Sequence, residues 1–502
     1  ENKRAMPSLF RTASDRRFAA TVSRLVSCNP FITTRLELER EALGEDFVEE
    51  AAEWNLDPFR TTRNRNMAAL LERVATLVEA RVGAFRDNAG APAEREHFAD
   101  LVLFRLYHEA IPALDRAIEQ AHDEGVGQRR HSAYREFRDA YLHSLGEAAP
   151  VSPAHLYACF FQVRRAFFHI FRFFVGTSAA ATALRARLWQ SIFTHDLKRY
   201  QRSLYHRLAH IPTLITGPSG SGKEVVARAI GLSRYVPFNE VERVFAEDFT
   251  RVFHPVNLSA LSPTLIESEL FGHRRGAFTG ALQDREGYFA ACGEHGTVFL
   301  DEIGEADLGI QVKLLRVLQT REFQRLGDVR SEAFHGKVVA ATNRDLPREM
   351  RAGRFREDFY FRLRADVIET ASLASLLAGQ AGELEFLAGH VATGLAGAAE
   401  AEALQADFMA WAKAHPGYPW PGNFRELEQA MRSVLVHGDY TPPPVLEDGA
   451  AGLPGRLAAT GWTLKELLTE YVSELYRRTP NYEELARQLE VDRRTVKRYV
   501  RA

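Results

Sequence analysis

The sequence is poor in cysteine. Cys28, Cys159 and Cys292 are its only three, and they stand far apart. An odd, scattered set excludes a disulfide framework and a cysteine zinc site and suits a reducing compartment, so a cytoplasmic setting is expected. Long uncharged apolar runs are also lacking. The most apolar stretch, Leu156 to Val175, is rich in Phe but carries Arg164, Arg165, His169 and Arg172. Each arginine would cost roughly 2.5–3.5 kcal/mol at a bilayer centre, so this stretch is expected to be a core helix and no membrane partner is expected. No apolar segment follows Glu1-Asn2-Lys3-Arg4, so no secretory signal is expected. A surplus of charge is missing too. Net charge is -2, so any nucleic-acid surface must be local. There is no internal repeat and no low-complexity tract. His97, His108, His131, His143, His155 and His169 lack metal-ligand spacing and are expected to be surface or core histidines.

What is present is 502 residues, 46% hydrophobic and 26% charged, enough for two to four soluble domains. Residues 1–173 read as all-α. Apolar positions recur at helical spacing from Phe18 to Val26, from Met67 to Val78 and from Phe98 to Ile111, where Pro112 is expected to break or kink the helix. From residue 174 short apolar runs end in Gly, Asp or Asn: Thr213–Thr216, Thr297–Leu300 and Val338–Thr342. Runs without polar alternation predict strands buried on both faces of a parallel sheet, so 174–436 is expected to be an α/β nucleotide-binding domain, turning helical after Phe361 as a lid. Residues 437–462, with Pro442-Pro443-Pro444, read as a linker. Residues 463–502 return to helix.

Two motifs carry chemistry. Gly217-Pro218-Ser219-Gly220-Ser221-Gly222-Lys223-Glu224 lies between a predicted strand and a predicted helix. That is the context in which backbone N–H groups and a helix N-terminus wrap phosphates, with Lys223 reaching the β- and γ-phosphates. Glu224 replaces the usual hydroxyl, so a Mg²⁺ ligand is missing at that position. The second motif is a strand ending in Asp301-Glu302. Asp301 would hold Mg²⁺ and Glu302 would polarise the attacking water. Asn343, after the third strand, could orient that water or sense the γ-phosphate. Arg356 and Arg362 flank Phe359-Tyr360-Phe361, where cations could meet charge that develops during phosphoryl transfer. In the tail, Tyr482–Leu489 and a helix beginning at Arg493 read as helix-turn-helix. That second helix, read over Arg493–Arg501, carries basic charge from Arg493, Arg494, Lys497, Arg498 and Arg501, and Thr495 and Tyr499 supply possible phosphate contacts.

Taken together these residues resemble the AAA+ domain of sigma-54-dependent transcriptional activators (bacterial enhancer-binding proteins). Also matching, in family order, are Glu267–His273, Gly276-Ala277-Phe278-Thr279-Gly280-Ala281, Phe299–Glu305, Lys313–Gln319, Ala341–Leu346, Phe355–Asp358 and Trp420–Leu427. In that family Glu follows the P-loop lysine, so the resemblance accounts for Glu224. It implies that Gly276–Ala281 is the loop that contacts sigma-54, with Phe278 and Thr279 at its tip. It further implies that Asn257 is a switch coupling Glu302 to the nucleotide. Arg356 and Arg362 would then act on a neighbour's site, and Arg425 would be the lid arginine that senses nucleotide. The cofactors implied are ATP and Mg²⁺. The partners implied are sigma-54 RNA polymerase, double-stranded DNA upstream of a promoter through a Fis-type tail, and further copies of the chain in a ring, usually a hexamer. The N-terminal region would regulate the ATPase.

The alternatives are a DNA-binding regulator that uses the AAA+ fold for assembly only, and a remodeller of another target. Three stretches depart from the family pattern: a long Ser233–His254, an Ala- and Ser-rich lid entry at 371–379, and an extra basic-aromatic piece at Phe193–Tyr200.

Overall fold

A computed structural model describes residues 8–49, 65–260, 262–443, 463–478 and 481–500. Its contacts divide the chain into two units, 1–438 and 439–502.

The first unit begins with helices α1 (Ala13–Ser27), α2 (Thr33–Leu43), α3 (Arg65–Arg86), α4 (Pro92–Glu124), α5 (Tyr134–Leu145), α6 (Pro153–Phe173) and α7 (Ala179–Phe193). The apolar spacing falls as expected on α1, α3 and α4. Pro112, however, does not end α4, which runs on to Glu124. Ser152 caps α6 by accepting a hydrogen bond from His155 N, with Pro153 at the first helical position. Two of the arginines that exclude α6 from a membrane, Arg164 and Arg165, are buried in the protein, while Arg172 is exposed. Arg164 pairs with Asp115 at 2.6 Å, and Arg165 donates to the carbonyls of Leu232 and Arg234. Among the described residues no helix is long and apolar enough to cross a membrane, and no group of three His, Cys, Asp or Glu side chains could hold a metal ion.

The sheet follows. Strands β1 (Thr213–Thr216), β4 (Phe253–Asn257), β5 (Thr297–Asp301), β8 (Lys337–Thr342) and β9 (Asp366–Glu369) are all parallel, in the order β4-β5-β8-β1-β9. The three central runs are buried on both faces, from Leu214 and Ile215 through Val298–Leu300 to Val338–Ala341. Strand β9 was not expected, because a helical reading covered everything after Phe361. Asp366-Val367-Ile368-Glu369 has only two apolar residues in its middle, and it becomes a strand by pairing with β1 at the sheet edge. The P-loop helix α8 (Lys223–Leu232) lies on one face of the sheet, in contact with α6.

The long stretch after α8 has a structural explanation. Strands β2 (Phe238–Asn239) and β3 (Val244–Phe245) form an antiparallel hairpin. Val236, Phe238, Phe245 and Phe249 enter the core of the N-terminal helices. His131 sits among the rings of Tyr157, Phe161, Phe238 and Phe245 at centroid distances of 5.8, 5.3, 5.8 and 5.0 Å. Polar ties flank it: Gly127 N donates to Asp248 Oδ1 at 2.8 Å, His131 N to Arg243 O at 2.8 Å, and Gln162 Nε2 to Ser233 O at 2.9 Å. The polypeptide crosses from the helical region to the α/β region after α6, but the packing is continuous across that point.

Burial pushes His131 down to about 4 from its ordinary 6.5. The folded protein therefore holds this ring neutral while the unfolded chain protonates it. The stability linked to His131 is complete above pH 6.5 and is lost as pH falls toward 4, at up to about 1.4 kcal/mol per pH unit. The urea midpoint is expected to fall between pH 7 and pH 5, and less steeply in His131→Phe. Equal slopes in the two proteins would remove His131 as a cause.

Helices in the remainder of the first unit include α9 (Pro263–Phe271), α10 (Leu308–Thr320), α11 (Glu357–Leu363), then the lid of α12 (Leu373–Ala378), a helical stretch α13 (Glu383–Ala414) broken at Gly397, and α14 (Asn423–His437). The second unit has α15 (Leu464–Arg478), α16 (Tyr482–Gln488) and α17 (Arg493–Tyr499), packed around Val472, Leu485 and Val496. Most of the expected linker, residues 444–462, lies outside the described residues, as does Arg501.

Candidate nucleotide site and the Gly276–Ala281 loop

The P-loop is a turn of positive-φ glycines: Gly217 at 151°, Gly220 at 72° and Gly222 at 87°. A Cβ at Gly217 would stand 2.0 Å from Thr370 Oγ1, and one at Gly220 would stand 2.3 Å from the Gly422 carbonyl. Ser219 O accepts from Asn423 Nδ2 at 2.8 Å, and the Ser221 and Thr370 hydroxyls lie 2.6 Å apart. Pro218 O accepts from Ser221 Oγ at 2.7 Å. Lys223 is folded back over the loop, donating to the carbonyls of Gly217 at 3.1 Å and Pro218 at 3.0 Å. Glu224 faces Arg228 one turn on, at 3.1 Å.

Asp301 ends β5, and Glu302 follows it with φ of 53°, a left-handed conformation that is strained for a non-glycine residue. Asp301 Oδ1 accepts from Glu302 N at 3.0 Å, and Glu302 Oε2 accepts from Asn343 N at 3.3 Å. Burial, and then the neighbouring Glu302 carboxylate, push Asp301 above the usual range, while Lys223 opposes them. Burial lowers Lys223, against the attraction of Glu302 and Asp301. Two crowded carboxylates that one lysine does not fully neutralise are a donor set that a divalent cation suits. Asn257 is in register with Asp301 across β4 and β5. Its Oδ1 accepts from Ser259 N at 2.9 Å and Ser259 Oγ at 2.8 Å, so the structure brings it beside the acid pair without a bond to Glu302.

The lid closes on the same loop. Phe424 N donates to Gly220 O at 3.1 Å, and Arg425 is exposed beside it. Arg356 and Arg362 are exposed on or next to α11. Arg356 pairs with Asp358 at 2.7 Å, and Arg362 donates to Leu318 O at 3.5 Å. Two residues that position the site went unseen in the sequence. Thr370 lies under the P-loop. Asn423, at φ 54°, bridges Ser219 O to the backbone of Leu373. Asn423 lay within a matching motif, but Thr370 gave no local signal.

The loop Gly276–Ala281 is closed by Gly276 N donating to Ala281 O at 2.8 Å and Ala281 N to Phe278 O at 3.0 Å. Thr279 and Gly280 are exposed, whereas Phe278 turns back against the His273 ring at 5.0 Å. The loop stands on a hairpin, β6 (Glu322–Gln324) with β7 (Ser331–Ala333). Arg274 N donates to Leu326 O at 2.9 Å, and its guanidinium bonds Asp328 at 2.8 Å and Asp284 at 2.7 Å. Arg330 and Arg274 hold Asp328 well below the usual carboxylate range.

In the second unit, α16 and α17 are joined by the turn Leu489–Asp492. Val496 faces the core, while Arg493, Arg494, Lys497 and Arg498 face solvent. Arg493 pairs with Glu483 at 3.2 Å. The Thr495 hydroxyl is engaged by Asp492 at 2.7 Å, inside the helix cap.

A parallel sheet with a P-loop after one central strand, an acid pair after its second neighbour and a helical lid defines a P-loop ATPase domain of the AAA+ class. Residues 193–369 match the family described as the sigma-54 interaction domain. The chain is 38% identical over 288 residues to the transcriptional regulatory protein ZraR of Escherichia coli (strain K12), covering 56% of this chain and 61% of ZraR. It is 40% identical over 279 residues to GlrR of the same organism, covering 54% and 56%, and 41% identical over 229 residues to the Nif-specific regulatory protein of Azotobacter vinelandii, covering 45% and 40%. The chain thus spans 40–61% of the length of these relatives. Among solved structures, NtrX from Brucella abortus in complex with ATP aligns with 65% of this chain and 68% of its own, at 24% identity and a TM-score of 0.38. The resemblance to sigma-54-dependent transcriptional regulators holds.

Proposed function

We propose that the chain is an ATP-hydrolysing transcriptional activator that binds DNA upstream of a promoter and remodels sigma-54 RNA polymerase. The observation that carries this reading is the Gly276–Ala281 loop, exposed at Gly276, Thr279 and Gly280 and braced by Arg274, within a domain that keeps both sequence motifs. The P-loop N–H groups and Lys223 would cradle the phosphates. Asp301 would hold Mg²⁺, which when bound supplies positive charge at the β- and γ-phosphate oxygens. Glu302 would polarise the attacking water, with Asn343 placing its carboxylate and Asn257 linking that carboxylate to the nucleotide state. Arg356 and Arg362 would reach a neighbour's site, which requires a ring, and Arg425 would report the nucleotide to the lid. Thr279, at the exposed tip, would touch sigma-54.

In vitro transcription from a sigma-54 promoter tests the loop. Thr279→Ala is expected to abolish activation while ATP turnover persists, and full activation by the variant would remove the loop from that role.

We propose a DNA interface on the tail, because four cations share the exposed side of α17. Arg494→Ala is expected to weaken binding across sequences and to lower the slope of log affinity against log salt by about 1 if it contacts phosphate. An unchanged slope and affinity would remove Arg494 from the interface.

A further inference from the structure

A cavity of 230 Å³ lies between the N-terminal helices and the basic-aromatic piece that the family pattern does not account for. One wall is apolar, formed by Val26, Phe85, Leu103, Val151 and Leu156. Lys198, Gln201 and Arg202, on the short helical segment that leads toward the P-loop strand, also line it. A space this large is far more than one water needs, roughly 10–15 Å³ by this measure.

The charges around it do not cancel. Asp100 is buried and already occupied, accepting from Ser23 Oγ at 2.6 Å and Lys198 Nζ at 2.5 Å. Glu96 is matched by Arg202 at 2.9 Å. Arg95 is left over. Its guanidinium lies over the Phe85 ring at 4.1 Å, and one terminal nitrogen, Nη1, donates to the carbonyls of Phe85 at 2.7 Å and Ala89 at 3.2 Å. Among the described residues no carboxylate is within ion-pair distance of it. A half-buried cation fixed against an aromatic ring, at the edge of an apolar cavity, is complementary to an anion with an apolar body.

We propose that this cavity binds a small amphipathic carboxylate, with its head on Arg95 and its body along Phe85, Leu103 and Leu156. One surplus cation suits a monoanion and not a polyphosphate. The apolar wall gives an inorganic anion nothing to bury, and a neutral molecule leaves Arg95 without a counter-charge.

Saturation-transfer NMR on the full chain tests this, with phenylacetate and octanoate as probes, phenylacetamide as a comparison and inorganic phosphate as a competitor against phenylacetate. Both carboxylates are expected to receive saturation and to compete with each other. The amide and phosphate are expected to bind at least tenfold more weakly. Arg95→Gln is expected to weaken phenylacetate at least tenfold and Arg95→Lys to restore most of it. Ala99→Phe, which fills the cavity without touching the charge, is expected to abolish binding. Melting curves matching the parent show that each variant is folded, and Ala99→Phe decides alone if Arg95→Gln is not. The proposal is overturned if neither carboxylate receives saturation, if the amide binds as well as the acid, or if Ala99→Phe leaves binding unchanged.

Discussion

Glu302→Gln is expected to eliminate ATP turnover while nucleotide binding is retained. The substitution keeps the side chain's shape and its ability to accept from Asn343 N, so the β5 terminus should stay in place. What it removes is the negative charge that would polarise water. Loss of a positioned general base costs about 10²–10⁴ in rate, and loss of a carboxylate beside a phosphoryl centre belongs at the upper end of that range. Binding rests on other groups, namely the P-loop backbone, Lys223 and the lid. Removing a carboxylate next to Lys223 also relieves some repulsion toward phosphate. A steady-state ATPase assay with titration of a fluorescent ATP analogue separates the two effects. Turnover within a few-fold of the parent would mean that Glu302 is not the base, and would favour a regulator that keeps the fold for assembly only. Asp301→Asn provides a contrast, because it should impair Mg²⁺-dependent binding as well as turnover.

The second large effect concerns the N-terminal helices. A chain beginning at residue 174 is expected to be insoluble or molten, and not a free ATPase. Removing residues 1–173 strips Tyr157, Phe161 and His131 from the hairpin and leaves Phe238, Phe245 and Phe249 in water. It also removes Arg165 and Gln162 from the carbonyls of Leu232, Ser233 and Arg234 at the end of the P-loop helix. A single Phe→Ala change in a core costs about 3–5 kcal/mol, and whole domains are stable by only about 5–15 kcal/mol. Several such losses at once exceed the stability available. Size-exclusion chromatography and a thermal melt of residues 174–502 are the check. A monodisperse product with a cooperative transition would show that the α/β region folds without the helices. If it does not fold, control of ATPase activity by this region has to be studied with point changes, such as Phe161→Leu, and not by truncation.

Much of the site was legible because its motifs are local. Gly217–Glu224 and Asp301-Glu302 each sit within a few residues of a strand end, where backbone geometry alone aims them. The three central strands were legible for the same reason: burial on both faces leaves no polar alternation, and a short window shows it. Three things were not. Strand β9 has too few apolar residues to be seen without its partner β1. Thr370 and Asn423 matter only because the chain returns to the P-loop 149 and 204 residues later in hydrogen bonds to Ser221 and Ser219. Phe278, expected at the loop tip beside Thr279, turns back on His273, a choice made by ring packing.

The long Ser233–His254 and the basic-aromatic Phe193–Tyr200 mark the same division more sharply. By itself the sequence determined that this chain carries a P-loop α/β domain, a Gly- and Ala-rich loop at Gly276–Ala281 and a basic tail helix, because spacing along the chain encodes each of them. Only the tertiary structure decided that the two unexplained stretches attach the helices to that domain. One is a hairpin whose Phe238 and Phe245 enter their aromatic core, and the other places Lys198 against Asp100. Those contacts join residues about a hundred positions apart, and hydrophobic burial and ion pairing at that range depend on which surfaces meet, which no window of sequence contains.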